Sequence, residues 1–347
     1  MKTLLVMLVG IYLVLATPVY AHHSQAEFGG NQLEEMQGEI IGAYWRNPHV
    51  NFTLKTLDQN GNEEIWEMEA GAWNALSRRG VPKDAVTAGD MVTVAVTRSS
   101  KRSSQLRLSN ILILDSGVEV VFGNGAPRWA NQGTNQAFGG SGGAASASAN
   151  TAPADTSGDG LYQIWSIAGG RRVPLDGELP LTEQARVAQA AWDPITEDPL
   201  LLCIPPGMPS TMGNPYPMQF SERDGNIVIH LEEFDNVRTI HMDPYAEVGA
   251  AGPLGHSVGR WQDGSLLVET TNINHPYFNR VGVAQSTEVT TSERFTLSDD
   301  SRRLDYSLTI TDPNTLTEPV SWSTYYASGR GEEIKAYECT VERYVPR

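Results

Sequence analysis

Val50-Asn51-Phe52-Thr53-Leu54-Lys55, followed by Asp58-Gln59-Asn60-Gly61, decides the fold class. Val50, Phe52 and Leu54 alternate with Asn51, Thr53 and Lys55, the period of a strand with one buried face. The Asp-Gln-Asn-Gly run supplies the residues that reverse such a strand. Working outward, the pattern predicts a strand over Met36 to Trp45, this one over Val50 to Leu57, and a third near Glu64 to Glu69. Ala72 to Arg79 suits a short helix, with Gly80 where a C-terminal cap is expected. Gly89-Asp90 opens a fourth strand through Val96, and Leu106 to Leu114 makes a fifth. Three strands, a helix and two strands is the order of an OB-like barrel, predicted over 22–121.

From Phe122 to Gly160 the chain is dominated by Gly, Ala, Ser, Asn and Thr, including Gly139-Gly140-Ser141-Gly142-Gly143. So little apolar area cannot offset the entropy of ordering the backbone, so 122–160 reads as a flexible linker. A second domain is expected over 161–347. Pro180 and Asp193-Pro194 bracket a helix from Leu181 to Trp192, and a Pro-rich stretch runs to Met218. Strands are then expected over Asn226 to Glu233, Val237 to Met242, His256 to Trp261 and Leu266 to Thr271. Val289 to Leu297, Leu304 to Thr311, Ser321 to Ala327 and Ile334 to Glu342 complete the set. The whole is mainly β: a small OB-like barrel and a larger antiparallel β-barrel, or a sandwich in its place, with one or two short helices.

Met1-Lys2, the apolar run Leu4 to Leu15 and Val19-Tyr20-Ala21 follow the order of a secretory signal peptide over 1–21. The apolar run is short for a transmembrane helix, and no second long one follows, so the mature chain is expected to be periplasmic or secreted and soluble. Acidic residues outnumber basic ones by 41 to 25, which opposes binding to nucleic acid. Cys203 and Cys339 are the only cysteines. In an oxidising compartment they can close one disulfide, and free buried thiols are the alternative.

Ala21-His-His-Ser24, Trp45-Arg-Asn-Pro-His49, Trp66-Glu-Met-Glu69 and Arg79-Gly80 resemble a family of small secreted bacterial proteins without assigned function. Cys203-Ile-Pro-Pro-Gly-Met-Pro209, Asn214-Pro-Tyr-Pro-Met218, Arg238-Thr-Ile-His-Met-Asp243, Gly255-His-Ser-Val-Gly-Arg-Trp261 and Leu267-Val-Glu-Thr-Thr271 resemble an uncharacterised β-rich bacterial module. The resemblance implies an envelope location and this pairing of domains. It supplies no activity.

Two constellations could carry chemistry. Cleavage after Ala21 would free the amine of His22 beside two imidazoles, His22 and His23. With His49 as a third arm, that makes a nitrogen-rich set of ligands of the kind copper(II) and nickel(II) favour, and a copper-binding protein is a further alternative. A terminal tail and a hydrogen-bonded His49 form the plainer reading. In the second domain, Arg238, His241, Asp243, His256, Arg260, Glu269 and Glu293 fall on neighbouring strands. His256, Val258 and Arg260 share one face, and Glu293 shares its face with Phe295 and Leu297, toward an apolar interior. A buried carboxylate needs a partner, so an Arg or His across the barrel is expected.

Polar groups among aromatics are the makeup of a ligand pocket. The leading expectation is therefore an exported protein that binds a small, partly apolar molecule in the C-terminal domain. Arg238, Arg260, Glu269 and Trp261 would contact it. The alternative is a lyase, isomerase or hydrolase using His241 or His256 with Glu293 in the same cavity. Structural ion pairs account for the same residues without any ligand. Ser257 in Gly-His-Ser-Val-Gly has the Gly-x-Ser-x-Gly spacing but falls within the strand expected over His256 to Trp261, not on a strand-to-helix turn, so it makes only a weak hydrolase argument.

Overall fold

The computed structural model describes residues 28, 32–123, 125–129, 134–140, 160–168, 179–193, 196–214, 216–329 and 331–340. The small barrel is built from β1 (Glu34–Tyr44), β2 (Asn51–Leu57), β3 (Glu63–Glu69), a helix α1 (Trp73–Arg78), β4 (Met91–Arg98) and β5 (Gln105–Ile113). β1 pairs antiparallel with both β2 and β4, β2 with β3, and β4 with β5. The parallel pairing of β3 with β5, Met68 opposite Leu106, closes the cylinder. Phe52, Leu54, Met68, Val94 and Leu106 fill it, all fully buried. The turn between β2 and β3 works as its residues suggest. Asp58 Oδ1 accepts from the backbone N–H groups of Asn60 and Asn62, and Gly61 takes the left-handed φ of 84°.

The expected linker is partly built into this barrel. β6 (Val118–Val121) extends the sheet from β5, and β7 (Gln136–Gly139) pairs in parallel with β6. Trp129 is buried against Ala95 and Leu112. The fully buried carboxylate of Glu119 accepts from the backbone N–H groups of Arg128 and Trp129 and from Thr134 Oγ1 and Asn110 Nδ2. An averaged composition hides these few anchoring side chains. Residues 141–159 lie outside the described residues.

The larger domain is a closed nine-stranded barrel, which resolves the choice between barrel and sandwich. Its strands are β8 (Ile164–Ile167), β9 (Met218–Arg223), β10 (Asn226–Leu231), β11 (Asn236–His241), β12 (His256–Gln262), β13 (Ser265–Thr271), β14 (Thr290–Leu297), β15 (Arg303–Thr311) and β16 (Val320–Ser328). All neighbours are antiparallel except β11 and β12, which run parallel through Ile240–Ser257 and His241–Val258. Asp224-Gly225 and Asp263-Gly264 turn the β9–β10 and β12–β13 hairpins with both residues at positive φ, matching the twist of the strands they join. A helix α2 (Glu183–Ala191) starts at Thr182, whose hydroxyl accepts from the N–H of Ala185.

Over its described part, 334–340, the strand expected from Ile334 to Glu342 does not form. Residues 332–340 join no ladder, apart from an isolated bridge between Cys339 and Asn47. This C-terminal strap crosses from one barrel to the other. Cys339 is joined to Cys203 by a disulfide, Cα to Cα 5.9 Å, across a sequence separation of 136. Tyr337 is buried between Phe234 and Tyr216, at ring-centre distances of 4.8 Å and 5.5 Å.

Candidate functional site

The strand period sorts the residues predicted for the large barrel onto opposite faces. Arg238 and Glu293 point inward and form a fully buried ion pair. The guanidinium also donates to Ser257 Oγ and Thr270 Oγ1, and Tyr306 OH donates to Glu293 Oε1 at 2.8 Å. Burial pushes the Arg238 pKa down, but the adjacent Glu293 outweighs it, so the arginine is held above its ordinary value. Burial and the same carboxylate push Tyr306 and Tyr326 well up. These groups stay in one protonation state near neutral pH, as a structural network does. Around them Phe220, Phe295, Tyr306 and Trp322 pack ring against ring at 4.8 to 5.6 Å. Of the ligand contacts expected in this domain, Arg238 is thus engaged by the protein's own side chains.

His241 and His256 face the other way. They stack on each other at 4.9 Å between centroids, half-buried on the outer wall, away from Glu293. The structure therefore places both His241 and His256, the alternatives expected to act with Glu293, on the face away from it. The cause is register. Ser257 and Thr270 share the inner face with Glu293, so their neighbours on β12 and β13 cannot. Burial and the neighbouring His241 hold the His256 pKa below the usual histidine value. Glu269 is exposed and accepts from Ser292, and Arg260 and Trp261 are exposed near the end of β12.

Of the expected metal ligands, His22 and His23 lie outside the described residues. His49 Nδ1 sits 3.1 Å from the Ala70 carbonyl and 3.3 Å from Glu69 Oε1. Among the described residues no group of three or more His, Cys, Asp or Glu is disposed to hold a metal ion.

The structure instead draws the Trp45-Arg-Asn-Pro-His49 segment, the helix α1 and the C-terminal strap around one cleft of about 460 Å³. Its lining includes Trp45, Trp73, Asn47, Asn74, Arg46, Ser77, Lys83, Lys335, Glu338 and Thr340. Asn47 and Asn74, both buried, form the floor. Asn47 Nδ2 donates to Asn74 Oδ1, and Asn47 Oδ1 accepts from the N–H of Asn74, each at 3.1 Å. Asn74 Nδ2 donates onward to Glu232 Oε1 at 3.1 Å and to the Ala336 carbonyl at 3.2 Å. Glu232, fully buried, is neutralised by both guanidinium nitrogens of Arg78 and accepts from the N–H of Lys335 at 2.9 Å.

Trp45 and Trp73 meet edge to face at 5.5 Å and form the aromatic wall, with Trp45 Nε1 donating to the Val86 carbonyl. At the rim, Lys335 Nζ donates to Ser77 Oγ at 2.9 Å and Arg46 Nη1 donates to Thr340 Oγ1 at 3.3 Å. Reading the sequence alone missed Trp73, Asn74, Glu232 and Lys335. Trp45 and Asn47 stood in a noticed motif, but Asn74 lies 27 positions from Asn47, and Glu232 and Ala336 lie 158 and 262 positions from Asn74, beyond any local pattern.

The wall that carries Trp45 to Ser77 lies within a matched region. A family model described as a family of unknown function (DUF6152) matches residues 11–106. That agrees with the resemblance of the N-terminal half to an uncharacterised family. No curated protein and no solved structure matches the chain.

Proposed function

We propose that this is an exported protein that binds a small, partly apolar molecule in the cleft between its small barrel and the C-terminal strap. The observation that carries the reading is the cleft itself. Its volume is that of small-molecule sites, it has an aromatic wall, and its polar floor is already satisfied by internal hydrogen bonds. Clefts between domains are also common places for ligands. Export to the periplasm or beyond is supported by the Cys203–Cys339 disulfide, which persists in oxidising compartments, and by the order of residues 1–21. Among the described residues no helix is long and apolar enough to cross a membrane.

The test is a ligand-observed NMR screen of the disulfide-intact protein with aromatic and aliphatic acids, amides and sugars, repeated on two variants. Trp73→Ala removes half of the aromatic wall and should weaken each hit about tenfold. Trp261→Ala, at the end of β12, should leave the hits unchanged. Hits insensitive to Trp73→Ala, or no hits at all, would sink the proposal.

A further inference from the structure

We infer that the cleft selects an organic anion, a carboxylate carried on a flat apolar body, and that Lys335 on the strap is the residue that selects it. The inference rests on the cleft being a binding site and goes on to name what it binds. The chain carries a formal charge of −16, yet the cleft lining holds three cations, Arg46, Lys83 and Lys335, against one carboxylate, Glu338. A local reversal of sign in an acidic protein focuses attraction for anions at that spot.

Nearby carboxylates do not cancel the charge of the two lysines. Glu232 binds Lys335 through the backbone N–H, and its charge is balanced by Arg78. Among the described residues neither Lys335 nor Lys83 forms an ion pair. The Lys335 ammonium donates to the neutral hydroxyl of Ser77, which is itself tied to the Asn74 carbonyl. An ammonium has three donors, so it can keep Ser77 and still bind a carboxylate oxygen.

The floor, by contrast, offers little discrimination. The Asn47 and Asn74 amides bond to each other, to Glu232 and to the strap backbone. Selection therefore falls to the charged rim, and the Trp45–Trp73 wall accepts the flat apolar part by edge or face contact. Glu338 on the same strap opposes a second negative charge, which favours a monoanion over a dianion.

The experiment is calorimetric titration of the full chain with matched probes: phenylacetate, 2-naphthoate and decanoate, each beside the primary amide of the same skeleton. The carboxylate of at least one aromatic pair should bind about tenfold more tightly than its amide. Raising ionic strength from about 0.01 M to about 0.15 M should weaken the acid and spare the amide. Lys335→Met should close the gap and Lys335→Arg should keep it. The exposed Lys83→Ala gives a second reading with little risk to folding. Acid and amide binding equally would overturn the anion inference and leave the cleft as a neutral site. No binding by either member of any pair would overturn the inference together with the binding reading beneath it.

Discussion

Arg78 on α1 of the small barrel and Glu232 just after β10 of the large one form a two-pronged ion pair across the boundary between the domains. Glu232 is fully buried, so this contact links the barrels and sets the floor of the cleft. Removing one partner strands a charge. Arg78→Met is expected to destabilise the protein by about 3 kcal/mol, and the double change Arg78→Met/Glu232→Leu by less. Urea denaturation of the two variants beside the parent protein checks both values.

The strap supplies one wall of the cleft and is held by Cys339. Reducing the Cys203–Cys339 bond releases a loop closed over 136 positions, worth about 5 kcal/mol in the chain-entropy account. Reductant, or the pair Cys203→Ser/Cys339→Ser, should lower the melting temperature. Any cleft ligand should also bind more weakly than to the oxidised protein.

Inside the large barrel, Arg238→Met leaves the Glu293 carboxylate with Tyr306 alone as a partner. A loss of about 3–5 kcal/mol is expected, and Arg238→Met/Glu293→Leu should recover part of it. If the network is structural, the double variant that folds will bind cleft ligands with unchanged affinity. Denaturation and calorimetry on the same sample test both halves.

Burial depresses the pKa of His275, with the carbonyls of Tyr277 and Pro205 opposing it in part. The folded protein thus resists protonating this ring more than the unfolded chain does. Its contribution to stability is complete above the ordinary histidine value of about 6.5 and is lost as pH falls below it. The melting temperature should drop on acidification from about pH 7.5 to about pH 5, and His275→Gln should flatten that slope. His256, depressed by burial and by His241, acts with the same sign.

Gly207 packs directly on that histidine. A Cβ at this position would meet His275 Cβ at 2.6 Å and the Pro253 carbonyl oxygen at 2.7 Å. Gly207→Ala is expected to cost about 1–3 kcal/mol through overpacking, measured by thermal melts.

The contrast between Val50 to Lys55 and Ile334 to Glu342 shows how far sequence reading reaches. Alternation over Val50 to Lys55 names both the strand and its buried face, because the side-chain period reports the core directly. The same reasoning placed Glu293 inward with an arginine or a histidine for company. It could not tell which face of β12 carried His256, since Ser257 is buried through a hydrogen-bonded contact with Arg238 on another strand. Ile334 to Glu342 has a strand-like composition, but over 335–338 its backbone is held by Glu232, Asn47 and Asp235 rather than by a ladder. The cleft was hidden for a related reason. It forms only where the small barrel meets a strap crosslinked to Cys203, and no single stretch of chain contains it.

The most direct test of the central claim is hydrogen–deuterium exchange of the oxidised protein with and without a carboxylate hit from the screen. Binding in the cleft predicts slower exchange in peptides spanning 45–49, 73–78 and 334–340, with β12 unchanged. Protection confined to β12 or to the barrel strands around Arg238 and Glu293, with those three segments unaffected, would contradict it.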